Sequence, residues 1–296
     1  MNLDGTVSSS SFMPDLLPLL DAPALVVKNE ETSLVIADVH LGIEHDLYYS
    51  GINIPSQIAR RIDRLNGYIG EAQPDRVVLL GDIKHNVPRT SFQEEDEVPA
   101  FLDEIARKAL VEIIPGNHDG GIEKLIPRNP DITLHDSKGA IIDGVAYFHG
   151  HTWPDKDLLK CSHWVISHNH PTIKLTDVVG HTLTKQAWIR AKLDRDVVAA
   201  NYRADEFEWH DPELFIVPSF NELCGGVAFN ESFHSDLLGP LFTSKAVHLE
   251  ESEVYLLDGT FMGTIEGLRQ FSRDKFRTPG REHKGKKKYR RRRTRP

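Results

Sequence analysis

Apolar runs and helical stripes alternate through the first 115 residues. Residues 24–27 and 34–37 read as two strands, separated by the hairpin-like turn Lys28-Asn29-Glu30-Glu31. Residues 76–80 and 111–114 are continuous apolar runs, the pattern of strands buried on both faces. Between these runs, Ile58, Ile62, Leu65 and Ile69 recur at helical spacing after Pro55, with Arg60, Arg61 and Arg64 outside the stripe. Val98, Phe101, Leu102 and Ile105 mark a second amphipathic helix. The order β, α, β, α, β predicts a parallel sheet with crossover helices.

After residue 130 the pattern changes. Short strand-like runs at 132–134, 140–142 and 145–148 are joined by tight turns such as Asp143-Gly144, and more follow at 164–167, 172–175, 187–191, 214–217 and 254–257. No internal repeat recurs at a fixed period. Two sheets, one from each half, are expected to pack face to face with helices outside: an α/β chain, folded as a four-layer αββα sandwich of two mixed β-sheets. The expected folded domain covers residues 21–272, after a weakly structured opening at 1–20 and before a basic tail at 273–296.

Charge supports that last boundary. Residues 273–296 hold 13 of the 35 Lys/Arg and two of the 44 acids, a net +11 against −20 for the rest. The run Lys286-Lys287-Lys288 and Arg290-Arg291-Arg292-Arg293 is expected to be disordered in isolation. No apolar run approaches the roughly 18 residues of a membrane span, and the N-terminus lacks the basic start and apolar core of a signal peptide. A cytoplasmic location is the default. The two cysteines, Cys161 and Cys224, have no metal-like spacing and read as buried small hydrophobes.

Fifteen histidines are many for this length, and several fall where strands end. The strand at 111–114 breaks into Pro115-Gly116-Asn117-His118-Asp119, where Asn117 can offer a carbonyl oxygen and His118 a ring nitrogen to a cation. Alone, this could be a turn followed by an Asp helix cap. Four other strand ends carry similar chemistry: Asp38 with His40, Asp82, His149 in Phe148-His149-Gly150-His151, and His168 with His170. Carboxylates, imidazoles and one amide oxygen form a mixed N/O donor set suited to Mn²⁺, Fe²⁺ or Zn²⁺. Seven donors are too many for one tetrahedral ion and suit two, about 3.5–4 Å apart.

The ordered set Asp-x-His, Gly-Asp, Gly-Asn-His-Asp, a lone His and His-x-His, matched from Asp38 to His170, resembles the calcineurin-like metallophosphoesterase superfamily. The resemblance implies that Asp38, His40, Asp82 and His170 hold one metal, and Asp82, Asn117, His149 and His168 the other, with Asp82 as the bridge. It implies Mn²⁺ first among the metals, a bridging water acidified to hydroxide as nucleophile, and His118 as the group that faces the substrate and protonates the leaving oxygen. Asp119 would orient His118 or cap the next helix. Gly81-Asp82-Ile83-Lys84-His85 with Val217-Pro218-Ser219-Phe220-Asn221 and Gly225-Gly226 is similar to the SbcD-related branch, which includes archaeal and DNA-ligase-associated phosphoesterases.

Two positions depart from the pattern. Ser167 stands where Gly usually precedes the His-x-His pair, and a side chain there is costly if the backbone needs positive φ. Lys84-His85 stands where relatives carry another acid or Asn, leaving open whether those residues form a solvated loop or touch phosphate. His151 is the alternative to His149 as a ligand, with His149 favoured.

The reading is a two-metal phosphoesterase acting on phosphodiesters, with nucleic acid, DNA or RNA, as the macromolecular candidate engaged through the basic tail. Its rivals are an enzyme for small nucleotides or metabolites, and a non-catalytic nucleic-acid-binding module working through that tail.

Overall fold

The computed structural model describes residues 13–177, 179–202 and 207–276, with side chains to 271. The opening residues 1–12 and the basic run 286–295 lie outside the described residues.

The first sheet takes in β1 (Asp15–Pro18), β2 (Ala24–Lys28), β3 (Thr32–Ala37), β4 (Arg76–Leu80), β5 (Leu110–Ile114) and β6 (Ile132–Leu134), side by side in that order. Its first three strands are antiparallel, and β3 through β6 run parallel. The crossovers between parallel strands carry α1 (Ile43–Tyr49), α2 (Ile58–Ala72) and α3 (Phe92–Ala106). In β3, Val35 and Ala37 face one way and Leu34 and Ile36 the other, and all four are fully buried. This is why the run reads as continuous rather than alternating.

The second sheet takes in β7 (Ala140–Ile142), β8 (Val145–Tyr147), β9 (His163–Ile166), β10 (Thr172–Thr176), β11 (Thr182–Ala191), β12 (Glu213–Ile216), β13 (Glu253–Leu256) and β14 (Phe261–Thr264). The strand order is β14-β13-β11-β12-β9-β8-β7, with β10 paired to β11; β8, β9 and β12 are parallel neighbours. Helices α4 (Arg195–Tyr202), α5 (Pro240–Thr243) and α6 (Ile265–Phe276) belong to this half.

Three buried clusters define the layers. Leu25, Val35, Val78 and Ile114 meet Tyr147, Val165 and Trp188 between the sheets. Leu34, Val77 and Ile113 pack under Leu65, Phe101 and Leu102 on the first outer face, and Trp164, Ile189 and Leu214 pack with Val198, Phe242 and Leu268 on the second. The fold is the four-layer α/β sandwich with two mixed sheets.

Several details differ from the sequence expectation. The helix expected to open at Pro55 begins at Ile58, with Gln57 as its N-cap and the Ile58 N–H, which has no partner within the helix, donating to the Ser56 hydroxyl. The Pro-punctuated opening contributes β1, an edge strand whose Pro18 sits at its end, where a missing N–H costs no ladder bond. Helix α1 has no stripe long enough to announce it. No described helix is long and apolar enough to cross a membrane.

Candidate metal centre

Five loops leave the C-terminal ends of β3, β4, β5, β8 and β9, and open α/β sheets place their sites at such ends. The backbone there is unusual. Asp38, His40, His168 and His170 have φ of 52°, 44°, 71° and 42°, the left-handed region, which costs about 1–3 kcal/mol per non-glycine residue.

Neighbouring segments hold these residues in place. The Asp38, His40 and Leu41 N–H groups donate to the carbonyls of Leu80, Asp82 and Ile83 at 3.2, 2.9 and 2.7 Å. The buried Asn221 amide donates to the Val39 and His40 carbonyls at 2.9 and 3.2 Å. Buried Asn169, between the two histidines, exchanges two bonds with Leu238: its amide donates to the Leu238 carbonyl, and its oxygen accepts the Leu238 N–H. Glu94 completes a capping box with Ser91 at the start of α3 and also accepts the His85 and Asn86 N–H groups. One carboxylate therefore fixes both a helix and a site loop.

Two glycines set the closeness of the loops. A Cβ on Gly81 would lie 2.1 Å from His149 Cδ2, and one on Gly116 would lie 2.1 Å from Asp82 Oδ1. Neither position admits a side chain without displacing a site residue.

Asp82 sits at the middle. Its Oδ1 accepts the His118 N–H at 2.8 Å. Its Oδ2 faces His40 Nε2 at 3.6 Å, His149 Nε2 at 3.7 Å and His118 Nε2 at 4.0 Å. Asp38 Oδ1 lies 3.1 Å from His149 Nε2 and Asp38 Oδ2 lies 3.4 Å from His170 Nε2, and the His40 and His170 Nε2 atoms are 3.4 Å apart. Donor atoms of Asp38, His40 and Asp82 lie within 4.8 Å of one another, and so do those of Asp82, His149 and His168. Asp82 belongs to both groups. Asn117 lines the open cavity above them, which has a volume of about 320 Å³ and is also bounded by His118, Asn169, Gly225 and Leu238.

The donors fit divalent ions. Two ligands bound to one ion at about 2.0–2.2 Å stand roughly 3–3.7 Å apart. The separations around Asp82 Oδ2 and His170 Nε2 fall mostly in that range, too long for strong hydrogen bonds and too short for unpaired packing. Burial holds His40 well below the usual imidazole range and lowers His168 to about 3, with the His149 charge adding to the latter. Both rings are therefore neutral at neutral pH, each with one nitrogen lone pair able to act as a ligand. Burial acts against the Asp38 charge, but His170 and His149 outweigh it and hold the carboxyl below its ordinary range.

Residues 32–223 match the family model described as calcineurin-like phosphoesterase, more than half of the chain. The chain belongs to the calcineurin-like phosphoesterase family. No curated protein matches it. Among solved structures it is similar to one titled a Pseudomonas putida nuclease MPE, at 16% identity and TM-score 0.45, covering 84% of this chain and all of that one. It is also similar to Yfce, titled a phosphoesterase from E. coli, at 12% identity and TM-score 0.37, covering 78% of this chain and 96% of that one.

Several residues around this phosphoesterase centre stand differently from their sequence reading. The Asp119 carboxylate does not reach the His118 ring and caps no helix. It accepts the N–H groups of Gly116 at 2.8 Å, Ile83 at 2.9 Å and Lys84 at 3.1 Å, tying two site loops together. The His118 ring is oriented by the His85 carbonyl, which accepts its Nδ1–H. Lys84 is not a solvated or phosphate-touching residue: it is fully buried, and its ammonium donates to the Asn86 carbonyl at 2.6 Å. His85 does approach the centre, with Nδ1 at 3.2 Å from His40 Nδ1 and Nε2 at 3.7 Å from Asp46.

His149, fully buried, faces the carboxylates, and His151 stands behind it with the two Nδ1 atoms 3.1 Å apart. Ser167 has no left-handed backbone, so its side chain brings no strain. Its hydroxyl lies 3.3 Å from Asp38 Oδ1 and 3.2 Å from the Leu80 carbonyl, positioned to donate to either. His170 is locked by donating Nδ1–H to the Gly225 carbonyl at 2.8 Å, which leaves Nε2 for the centre. Asn169 and Asp46 carried no chemical signal in the sequence; Ser167 was visible only as a departure from the pattern, and Asn221 only as part of the Val217–Asn221 motif.

Proposed function

We propose that the chain is a dinuclear metal-dependent phosphoesterase that hydrolyses phosphodiesters, with Asp38, His40, Asp82 and His170 around one ion and Asp82, Asn117, His149 and His168 around the other. The sharing of Asp82 between two donor groups supports this reading most directly. Bound Mn²⁺, Fe²⁺ or Zn²⁺ would supply an activated water near neutral pH and neutralise phosphoryl oxygens. His118, with Nδ1–H on the His85 carbonyl, is placed to deliver a proton from Nε2 to the departing oxygen when the ring is an imidazolium.

The choice of a diester rests on the cavity wall. Among the described residues no lysine or arginine lines it, although such groups commonly grip phosphate. A singly charged diester needs less compensation than a monoester, which carries about −1.5 to −2 near neutral pH. Placement in the SbcD-related branch, and nucleic acid as the macromolecular substrate, are the finer forms of this proposal. The first draws on the Gly81–His85 and Val217–Asn221 motifs with Gly225-Gly226, the second on the basic run at 286–295. The test compares metal-dependent turnover on a model phosphodiester, a phosphomonoester and single-stranded DNA. Faster turnover of the monoester than of either diester would reject the reading.

A further inference from the structure

The two cysteines, alike in sequence, occupy different surroundings. Cys161 is buried in the outer core of the second half, among residues such as Leu158 and Trp164. Cys224 follows the motif at 217–221 and lies against the candidate centre. Its Sγ and a ring nitrogen from each of His40 and His170 all lie within 4.8 Å of one another.

The local backbone makes this approach specific. The Cys224 N–H donates to the Asn221 carbonyl at 3.2 Å, and Asn221 is the residue whose amide holds Val39 and His40. The adjacent Gly225 carbonyl accepts the His170 Nδ1–H, which leaves the Nε2 lone pair for an ion. A Cβ on Gly226 would lie 2.3 Å from the His170 carbonyl oxygen, so a glycine is needed to bring the 224–226 segment this close. Residues 221–226 thus hold the His40 backbone, orient His170 and deliver a thiol beside both.

Resting on the metallophosphoesterase reading, we propose that the Cys224 thiolate is a further ligand of the ion held by His40 and His170. On binding, the S–H bond breaks, a sulfur–metal bond forms and the proton leaves to solvent, with no change of oxidation state. A thiolate changes the choice of metal. The N/O donors alone suit Mn²⁺ as well as Fe²⁺ or Zn²⁺, whereas sulfur favours the softer ions and shifts this position toward Zn²⁺ or Fe²⁺. The competing account is a thiol that merely packs beside the site.

Cobalt distinguishes the two. The full chain, stripped with a chelator and reloaded with Co²⁺, should show a near-ultraviolet thiolate-to-cobalt charge-transfer band. The band should persist in Cys161→Ala, which retains Cys224 alone, and vanish in Cys224→Ser while cobalt remains bound. The Zn²⁺-over-Mn²⁺ affinity ratio should fall about tenfold or more in Cys224→Ser, the scale on which even outer partners of metal ligands act. Bound cobalt with no band in the wild-type chain, or a band surviving in Cys224→Ser, overturns the ligand assignment and leaves the phosphoesterase reading standing. Failure of the wild-type chain to bind cobalt would overturn both. Should Cys224→Ser not fold, the wild-type and Cys161→Ala spectra still decide.

Discussion

Replacing Asp119 separates two properties that a sequence motif cannot. Its carboxylate accepts three buried backbone N–H groups, from Gly116, Ile83 and Lys84. Asp119→Asn keeps an oxygen where Oδ1 meets Ile83 and Lys84, whereas Asp119→Ala leaves both donors without a partner. At about 1–3 kcal/mol for each unsatisfied buried donor, the Ala variant should be less stable than the Asn variant by about 2–6 kcal/mol. Charge gives a second measure. Burial, with the Asp82 charge adding, pushes the Asp119 carboxyl up to about 6. The folded state then holds the proton more tightly than the unfolded chain, so this contribution to stability is complete below about pH 4 and is lost as pH rises through about 6. The difference from the ordinary value corresponds to about 3 kcal/mol. Unfolding free energies from urea titrations of the metal-free wild-type and Asn chains should therefore diverge by about that amount between pH 4 and pH 7, the wild type losing ground. Asp38, held low, acts in the opposite sense and only below its ordinary range, outside this window. Parallel pH curves for wild type and Asn, or Ala and Asn unfolding free energies within about 1 kcal/mol of each other, would refute the clamp.

Three further outcomes are expected. Asp82→Asn should lose at least a hundredfold in metal-dependent turnover with an unchanged circular dichroism spectrum, since one carboxylate serves both donor groups; wild-type rates would sink the dinuclear reading. His118→Ala should slow poor leaving groups far more than nitrophenolate at unchanged metal content, and equal losses on both would remove His118 from the acid role. Deleting residues 280–296 should weaken binding to DNA by a factor that shrinks as salt rises, because each neutralised phosphate releases counterions, while turnover of a small diester stays the same. Unchanged DNA affinity in the truncated chain would exclude the tail as the nucleic-acid contact.

The elements whose physics is local could be read directly. Buried strands β3, β4 and β5 are continuous apolar runs, the face of α3 keeps a helical stripe, and the turn residues that follow the strands carry donor chemistry in plain order. What stayed hidden depends on partners far away in the chain. Lys84 looks like a loop cation until the fold closes over it. Asn221 and Asn169 look like ordinary loop amides, although each bonds backbone across long sequence separations, to Val39 and His40 in one case and Leu238 in the other. Residue type also misleads about backbone shape. Asp38, His40, His168 and His170 occupy left-handed positions that local preference would give to glycine, because those positions need donor atoms rather than conformational freedom. The cost of that choice must be offset elsewhere, and here it is offset by the backbone and amide hydrogen bonds that hold each loop. A sequence can therefore show which side chains form a centre of this kind while giving little sign of the residues that keep it in shape. The second group matters as much to function, because a donor displaced by an ångström no longer shares an ion with its neighbours.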